Sequence, residues 1–235
     1  MTASLYRWPQ AAAFGRVVPK TKFYEHTTIS TQVREKFTSQ VQRITWAYKL
    51  AEATVRLRGD TGVPEMQVFV IDAKDDDVSD EVLIAVDKAV QFPVIFEINR
   101  GLDFNARTRM TAAYKKPGAG VMKVSAYFTS EWLPADSPRV PLPPAVDLAG
   151  LYGSLLTPMM PIAVRLGETL SAVTDRMDQV RKLDREIVKL EKRLRSEPQL
   201  NRKVELRRQL RMQTALLSAL TDTATPETED ITWRS

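Results

Sequence analysis

The run from Leu166 to Leu220 constrains the fold most, because apolar residues recur through it at helical spacing and the pattern breaks once, at Pro198. Proline lacks an amide hydrogen and disfavours helix in the preceding residue, so Pro198 separates two helices. The apolar positions are Leu166, Val173, Val180, Ile187 and Leu194 before the break, and Leu206, Leu210, Leu217 and Leu220 after it. Each helix therefore has one apolar stripe. An antiparallel hairpin, similar to a coiled coil, lets the two stripes cover each other.

The positive charge of the chain is concentrated in this hairpin. The net charge is +5. The segment from Asp175 to Met212 contains 13 Lys/Arg and 7 Asp/Glu, whereas the rest of the chain contains 21 Lys/Arg and 22 Asp/Glu. Such asymmetry favours an anionic partner, either nucleic acid or an acidic protein surface. The alternative is that these charges only solvate exposed helices, partly through i,i+4 pairs such as Asp178–Lys182.

The residues predicted to contact nucleic acid or a partner protein lie in two places. In the hairpin they are Arg181, Lys182, Arg185, Lys189, Lys192, Arg193, Arg202, Lys203, Arg207, Arg208 and Arg211. Near the N-terminus they are Lys20, Lys22 and Tyr24, because alternating basic and aromatic residues can neutralise and stack a single strand. The alternative for the N-terminal aromatics is that they fix an arm onto the domain.

Composition and motifs argue against most catalytic chemistry. Cysteine is absent, which removes disulfides and Cys-ligated metals, and a structural role is expected for the single histidine, His26. The phosphate-loop, dinucleotide and nucleophile-elbow motifs are missing, so we assign no catalytic residue, metal or cofactor. No apolar run approaches the ~20 residues of a membrane span, and no signal-peptide pattern opens the sequence. We expect a cytoplasmic protein.

The chain before the hairpin has the pattern of an α+β domain with a small mixed sheet and packed helices. A helix starting at Ser30 or Thr31 is predicted to present one apolar face, formed by Val33, Phe37, Val41, Ile44 and Tyr48. Strands are predicted over residues 66–71, 94–98, 107–114 and 121–128, with a helix beginning after Ser79 between the first two.

The predicted organisation has four parts. Residues 1–133 form the α+β domain with its N-terminal arm, and the proline-rich stretch 134–145 is a linker. Residues 146–220 contain a short helix and the basic hairpin. The polar residues 221–235 are expected to be a flexible tail.

One enzymatic alternative stays open, a divergent Mg²⁺-dependent nuclease of the restriction-endonuclease type. Such an enzyme needs carboxylates and a lysine around the metal at strand ends. The candidates are Glu65, Glu97 and Lys115, or the triplet Asp72-Ala73-Lys74, and neither set has the usual spacing. The neighbouring pair Asp87-Lys88 is instead expected to form a partly buried structural ion pair with a strand residue such as Glu97.

Seven segments in order carry a resemblance to a known family. They are Gly15–Lys20, Phe23–His26, Ile44–Leu50, Val86–Val90, Pro93–Glu97, Ala112–Lys115 and Asn201–Leu206. This set resembles a bacterial family known only as a domain of unknown function. Its members are often encoded beside SNF2-like helicases and adenine DNA methyltransferases in restriction-like anti-phage gene clusters.

The resemblance implies a non-catalytic accessory subunit of a DNA-acting defence complex. Its expected partners are an SNF2-like helicase, a DNA methyltransferase subunit or both, and possible contact with DNA would be made by the basic hairpin. Homodimerisation through the hairpin is the weaker expectation, because closure within one chain already covers both apolar stripes.

Overall fold

A computed structural model describes residues 4–26, 29–116 and 123–222 of the chain. They form two compact units that divide after Met160. The strands are β1 (Ala13–Val17), β2 (Val41–Ala51), β3 (Glu65–Ala73), β4 (Val94–Arg100), β5 (Arg107–Lys116), β6 (Lys123–Thr129) and β7 (Leu133–Pro134). The helices are α1 (Lys20–His26), α2 (Thr31–Gln40), α3 (Glu52–Val55), α4 (Asp80–Ala89), α5 (Leu148–Leu156), α6 (Leu170–Ser196) and α7 (Leu200–Thr221). The predicted α+β class with a C-terminal helical hairpin is confirmed.

The first unit is built on a seven-stranded mixed sheet in the order β1-β2-β3-β4-β5-β6, with β7 paired to β5. Strands β3 and β4 are parallel, because α4 carries the chain back between them. The other pairings between these named strands are antiparallel. The predicted strands on either side of α4 and their antiparallel neighbour β5 are confirmed.

Different segments of the chain pack on the two faces of this sheet. On one face α1, α2 and α4 enclose a core that contains Phe37, Leu83 and Phe96. Successive strand residues point to opposite faces, so Glu97, which follows Phe96 on β4, points to the other side. There the N-terminal segment contributes the buried Trp8, and α5 packs against β3 and β5 with the buried Tyr152.

The predicted long helix after Ser30 is wrong beyond Gln40, where strand β2 begins. The register of β2 against β3 shifts between Val41 and Arg43 and again between Trp46 and Tyr48. A bulge adds one residue to the period of two, so the buried Val41 and Ile44 are three apart and imitate helical spacing. Trp46 packs on the helix-covered core, whereas the ring of Tyr48 lies 6.0 Å from Trp8 on the opposite side.

The proline-rich stretch 134–145 and the following short helix lie inside the first unit, contrary to the predicted boundary. Pro134 pairs with Arg107 of β5, and the backbone of Val140 pairs with the N-terminal segment at Tyr6. Proline suits the edge of a sheet, because it has no amide hydrogen to donate to a further strand. Thr221, the first residue of the predicted tail 221–235, is the last residue of α7. Residues 223–235 and the side chain of His26 lie outside the described residues.

A buried ammonium group joins α4 to the sheet. Lys115 on β5 is 1% exposed, and its Nζ donates to the backbone oxygens of Asp87, Val90 and Phe92 at 2.8, 2.6 and 2.7 Å. These carbonyls belong to the last turn of α4 and the loop after it, where helices leave acceptors unpaired and favour positive charge. The ion pair expected between Asp87-Lys88 and a strand residue is therefore formed by Asp87 with Lys115 (Nζ–Oδ1 3.0 Å), whereas Glu97, the strand residue named for it, pairs with Arg139.

Two tyrosines complete this buried network. The Tyr127 hydroxyl donates to the second carboxylate oxygen of Asp87. The Tyr152 hydroxyl donates to the Ala113 carbonyl at 2.6 Å and accepts from the Lys115 amide at 3.3 Å, at the irregular point of β5. Burial raises the pKa of both hydroxyls, so they remain protonated donors.

Replacing this ammonium should destabilise the first unit strongly. Lys115→Met leaves the Asp87 carboxylate buried without its counter-ion, and we expect a loss of about 3–5 kcal/mol in the free energy of unfolding. Urea denaturation followed by circular dichroism measures it. The matched control is Lys88→Met, because Lys88 is exposed on the same helix, and it should change stability by less than about 0.5 kcal/mol. Equal effects of the two substitutions would contradict the structural role of Lys115.

Candidate nucleic-acid interface

The second unit is the helical hairpin formed by α6 and α7, which pack against each other across residues 197–199. The break at Pro198 is as predicted. Buried apolar contacts come from Val173, Met177 and Leu183 of α6 and from Leu206 of α7. Leu166, the first residue of the predicted stripe, precedes the helix and is 95% exposed. The apolar contact that closes the hairpin thus begins one heptad later than the sequence indicates.

The eleven predicted hairpin residues all lie within residues 181–211, in the parts of α6 and α7 that adjoin this turn. We call residues 181–211 the basic tip. It contains twelve Lys/Arg and five Asp/Glu, whereas residues 212–222 contain no Lys or Arg. Nine of the eleven side chains are exposed, and Arg181 and Lys203 are half-buried. The structure therefore brings these residues together on one antiparallel pair of helix ends.

The positive side chains of the basic tip are held only loosely by their own chain. Arg181 lies 3.7 Å from Asp178, and Arg185 donates to the backbone oxygen of Arg181 at 3.1 Å. Exposed ion pairs of this kind contribute about 0–1 kcal/mol, so an incoming anion can displace them at little cost. Clustered positive charge also raises the local concentration of anionic partners.

Arg176 has a different role from the other basic residues of α6, because it is buried. Its guanidinium donates to both carboxylate oxygens of Glu168, at 2.7 and 2.6 Å, and to the backbone oxygens of Leu220 and Ala163, at 2.7 Å each. Arg165 donates to the Ala219 oxygen at 2.6 Å. Both arginines thus satisfy carbonyls at the C-terminal end of α7, where a positive charge is favoured.

The ion pair between Glu168 and Arg176 lies at the end of the hairpin opposite the turn at Pro198, and it makes this end sensitive to acid. The Arg176 guanidinium, together with the amide of Arg165, lowers the pKa of the Glu168 carboxyl below its ordinary value of 4.5. A lowered folded-state pKa stabilises the fold above the unfolded value, and this contribution disappears as the pH falls through the folded value.

Glu168→Gln should remove this acid dependence. The amide keeps the shape but has no charge, so we expect the variant to be less stable at neutral pH and to lose less stability than the wild type as the pH falls below 4.5. The free energy of unfolding measured by urea titration across acidic pH checks this. The exposed Glu191→Gln serves as a control and should follow the wild-type curve. A Glu168→Gln curve parallel to the wild type would contradict this assignment.

The N-terminal candidates lie on α1 in the first unit, and two of them serve the fold. Lys20 donates to the backbone oxygen of Val41, and burial lowers its pKa. The Tyr24 ring packs edge-on against Phe37 with centroids 5.4 Å apart. Lys22 stays at the surface in an exposed ion pair with Glu25 at 2.8 Å. Of the three, Lys22 is the residue placed to meet a ligand.

The carboxylates considered for a nuclease centre point to separate partners. The Glu97 carboxylate accepts hydrogen bonds from both terminal guanidinium nitrogens of Arg139, at 2.8 and 2.9 Å. It also accepts one from the indole N–H of Trp8, at 2.6 Å. Glu65 pairs with Lys49 at 2.8 Å, and Asp72 pairs with Arg43 at 2.7 Å. Within residues 4–26, 29–116 and 123–222, no three His, Asp or Glu side chains are grouped so that they could hold a metal ion.

Sequence reasoning missed the partners of Glu97. A carboxylate inside an apolar strand signals that a buried cation or donor must be present, since burying an unpaired charge is prohibitively costly. That signal was available in Val94–Ile98. The partners were not, because Arg139 and Trp8 lie 42 and 89 residues away in the chain.

Comparison with protein families agrees with the segments described above. The family model "Domain of unknown function (DUF4391)" matches residues 7–216, which is most of the chain. The chain belongs to this family. The match includes the sheet domain and nearly all of the hairpin, so both units are parts of the family's fold. No curated protein and no solved structure is significantly similar to the chain.

Proposed function

We propose that this DUF4391 protein is a non-catalytic accessory subunit that binds the phosphate backbone of nucleic acid through its basic tip. The observation that carries the proposal is the exposure of nine positive side chains on two adjoining helix ends. Phosphate contacts need charge and reach but no base-reading side chain, and they supply most non-specific affinity for DNA.

The dimensions of the basic tip suit this role. The first twelve residues of α7 extend about 18 Å at 1.5 Å per residue, and the facing part of α6 has a similar length. Duplex DNA carries one charge per about 1.7 Å of axis, so about ten backbone charges lie within that length. Several lysines and arginines can therefore contact phosphates at once.

We further propose that the protein works in the cytoplasm, in a restriction-like anti-phage complex with an SNF2-like helicase, a DNA methyltransferase subunit or both. The support is the gene neighbourhood that the family resemblance implies. No helix in the described part of the chain is long and apolar enough to cross a bilayer.

Charge reversal in the basic tip tests the nucleic-acid proposal. Replacing Arg202, Lys203, Arg207 and Arg208 by Glu should weaken binding to duplex DNA at least about tenfold, whatever its sequence. The slope of log affinity against log salt should also fall by up to about four. Fluorescence anisotropy over a range of salt concentrations measures both quantities.

The matched control reverses four exposed basic residues of the first unit, Arg34, Arg56, Arg58 and Lys88. It carries the same change in net charge and should retain most of the affinity. A pull-down from the native host, with and without nuclease digestion, separates direct protein partners from those bridged by DNA. If the tip variant retained both DNA binding and complex assembly, the basic tip would not be a functional surface.

A further inference from the structure

The loop between β4 and β5 presents two large apolar side chains to solvent. Leu102 is 81% exposed and Phe104 is 90% exposed, with the exposed Asp103 between them. Single apolar residues on a protein surface are common, whereas two of them at the tip of one short hairpin form an unpartnered contact surface. Side chains of this kind act as anchors when they enter a pocket on a partner.

The backbone of this loop is fixed, so the two side chains are held outward before any partner arrives. Gly101 has a φ of +71°, and a Cβ there would lie 2.6 Å from the Asn105 oxygen, which restricts the position to glycine. Asp103 has a φ of 50°, a strained value for a residue with a side chain. The Arg107 guanidinium donates to the Phe104 carbonyl at 3.2 Å. A rigid loop loses little conformational entropy on binding.

The same unit contains a cavity of about 440 Å³ that suits such anchors. The apolar residues of its wall include Val17, Trp46, Phe69, Val90 and Phe92. Cavities of about 300–1,000 Å³ accept drug-sized molecules, so this one has room for a phenylalanine and a leucine side chain. Two exposed cations, Arg16 and Lys22, also line the cavity.

The loop and the cavity have complementary chemistry. The loop places one carboxylate, that of Asp103, between two apolar side chains, and the cavity places two cations beside apolar walls. The ion pair of Lys22 with Glu25 is more than half exposed on both sides, so it opposes an incoming carboxylate only weakly. A second cavity, of about 340 Å³, matches the loop less well, because the cation lining it is Arg56 alone among the described residues.

The loop cannot enter the cavity of its own chain. Residues 89–92 form one wall of the cavity and precede β4, whereas the loop follows the other end of β4. This strand has seven residues and is about 23 Å long, which is several times the length of a side chain. An occupant of the cavity with the chemistry of this loop must therefore come from another copy.

We propose that copies of this chain associate head to tail, with Leu102 and Phe104 of one copy in the cavity of the next and Asp103 beside Arg16 and Lys22. The contacting surfaces differ, so the association continues into chains or closes into rings. Two anchors bury far less than the ~1,600 Å² of a standard interface, so the contact is weak and depends on concentration. This association does not depend on the basic tip and goes beyond the nucleic-acid role proposed for it.

Sedimentation velocity of the full-length protein, freed of nucleic acid, tests the association. We expect the average sedimentation coefficient to rise between about 5 and 500 µM. Leu102→Ser with Phe104→Ser should weaken association at least about tenfold, because both anchors are lost. Both positions are exposed, so the fold should be retained, and circular dichroism checks this. The matched control, Val146→Ser with Leu166→Ser, changes two residues that are 93% and 95% exposed and should associate like the wild type.

Charge reversal locates the contact in the cavity. Asp103→Lys and Arg16→Glu should each weaken association about fivefold or more, because each brings like charges together. An equal mixture of these two variants should associate more strongly than either alone, since the loop of each meets a cavity of opposite charge on the other. The control is Arg56→Glu, which reverses the cation of the second cavity and should leave association unchanged.

A second mixture tests whether the contact joins unlike surfaces. The variant without Leu102 and Phe104 keeps its cavity, and Arg16→Glu keeps its loop, so mixing them should produce association beyond that of the separate samples. A contact between two loops would not be restored by mixing, and that result would overturn the proposal.

The fourfold reversal in the basic tip should leave this association unchanged, so the two proposals can fail separately. Head-to-tail association is overturned if the wild type remains monomeric at about 500 µM. It is equally overturned if Arg56→Glu weakens association as much as Arg16→Glu. Flotation with phosphatidylglycerol vesicles covers the remaining outcome: binding that requires Leu102 and Phe104 in a protein that stays monomeric would assign the loop to a bilayer surface and also overturn it.

Discussion

The first unit depends on one buried charge pair, Lys115 with Asp87. Lys115 belongs to the sheet, and its ammonium donates hydrogen bonds to the carbonyls at the end of α4. Strand and helix are therefore joined by hydrogen bonds as well as by apolar packing. Burial lowers the pKa of Lys115 and raises that of Asp87, while their mutual attraction opposes both shifts. The complete set of partners makes a charged lysine tolerable in this core.

A second charge pair, Glu97 with Arg139, joins covering segments to the opposite face of the sheet. Glu97 binds Arg139 from the proline-rich stretch and Trp8 from the N-terminal segment, so two segments without helix or long strand become fixed to the centre of the sheet. These segments also pair with each other at Tyr6 and Val140. Irregular chain can cover a sheet only if its own backbone polar groups are satisfied in this way.

The basic tip is exposed, long and dominated by charge, which suits weak, salt-dependent contact with a polyanion. A positive charge alone does not make a residue part of this surface. Arg176 is the example, because its guanidinium already donates hydrogen bonds to Glu168 and to the end of α7.

The sequence by itself determined the helical hairpin, its break at Pro198 and the placement of its positive charge, because these follow from local periodicity and from the backbone chemistry of proline. It also determined β3, α4, β4 and β5, each a short segment with its own pattern. It failed at β2, since two bulges gave a strand the spacing of a helix. The partners of Asp87 and Glu97 and the cavity lined by Trp46 were decided by tertiary structure alone. Each of them joins residues from distant parts of the chain, and local pattern carries no information about which distant residues will meet.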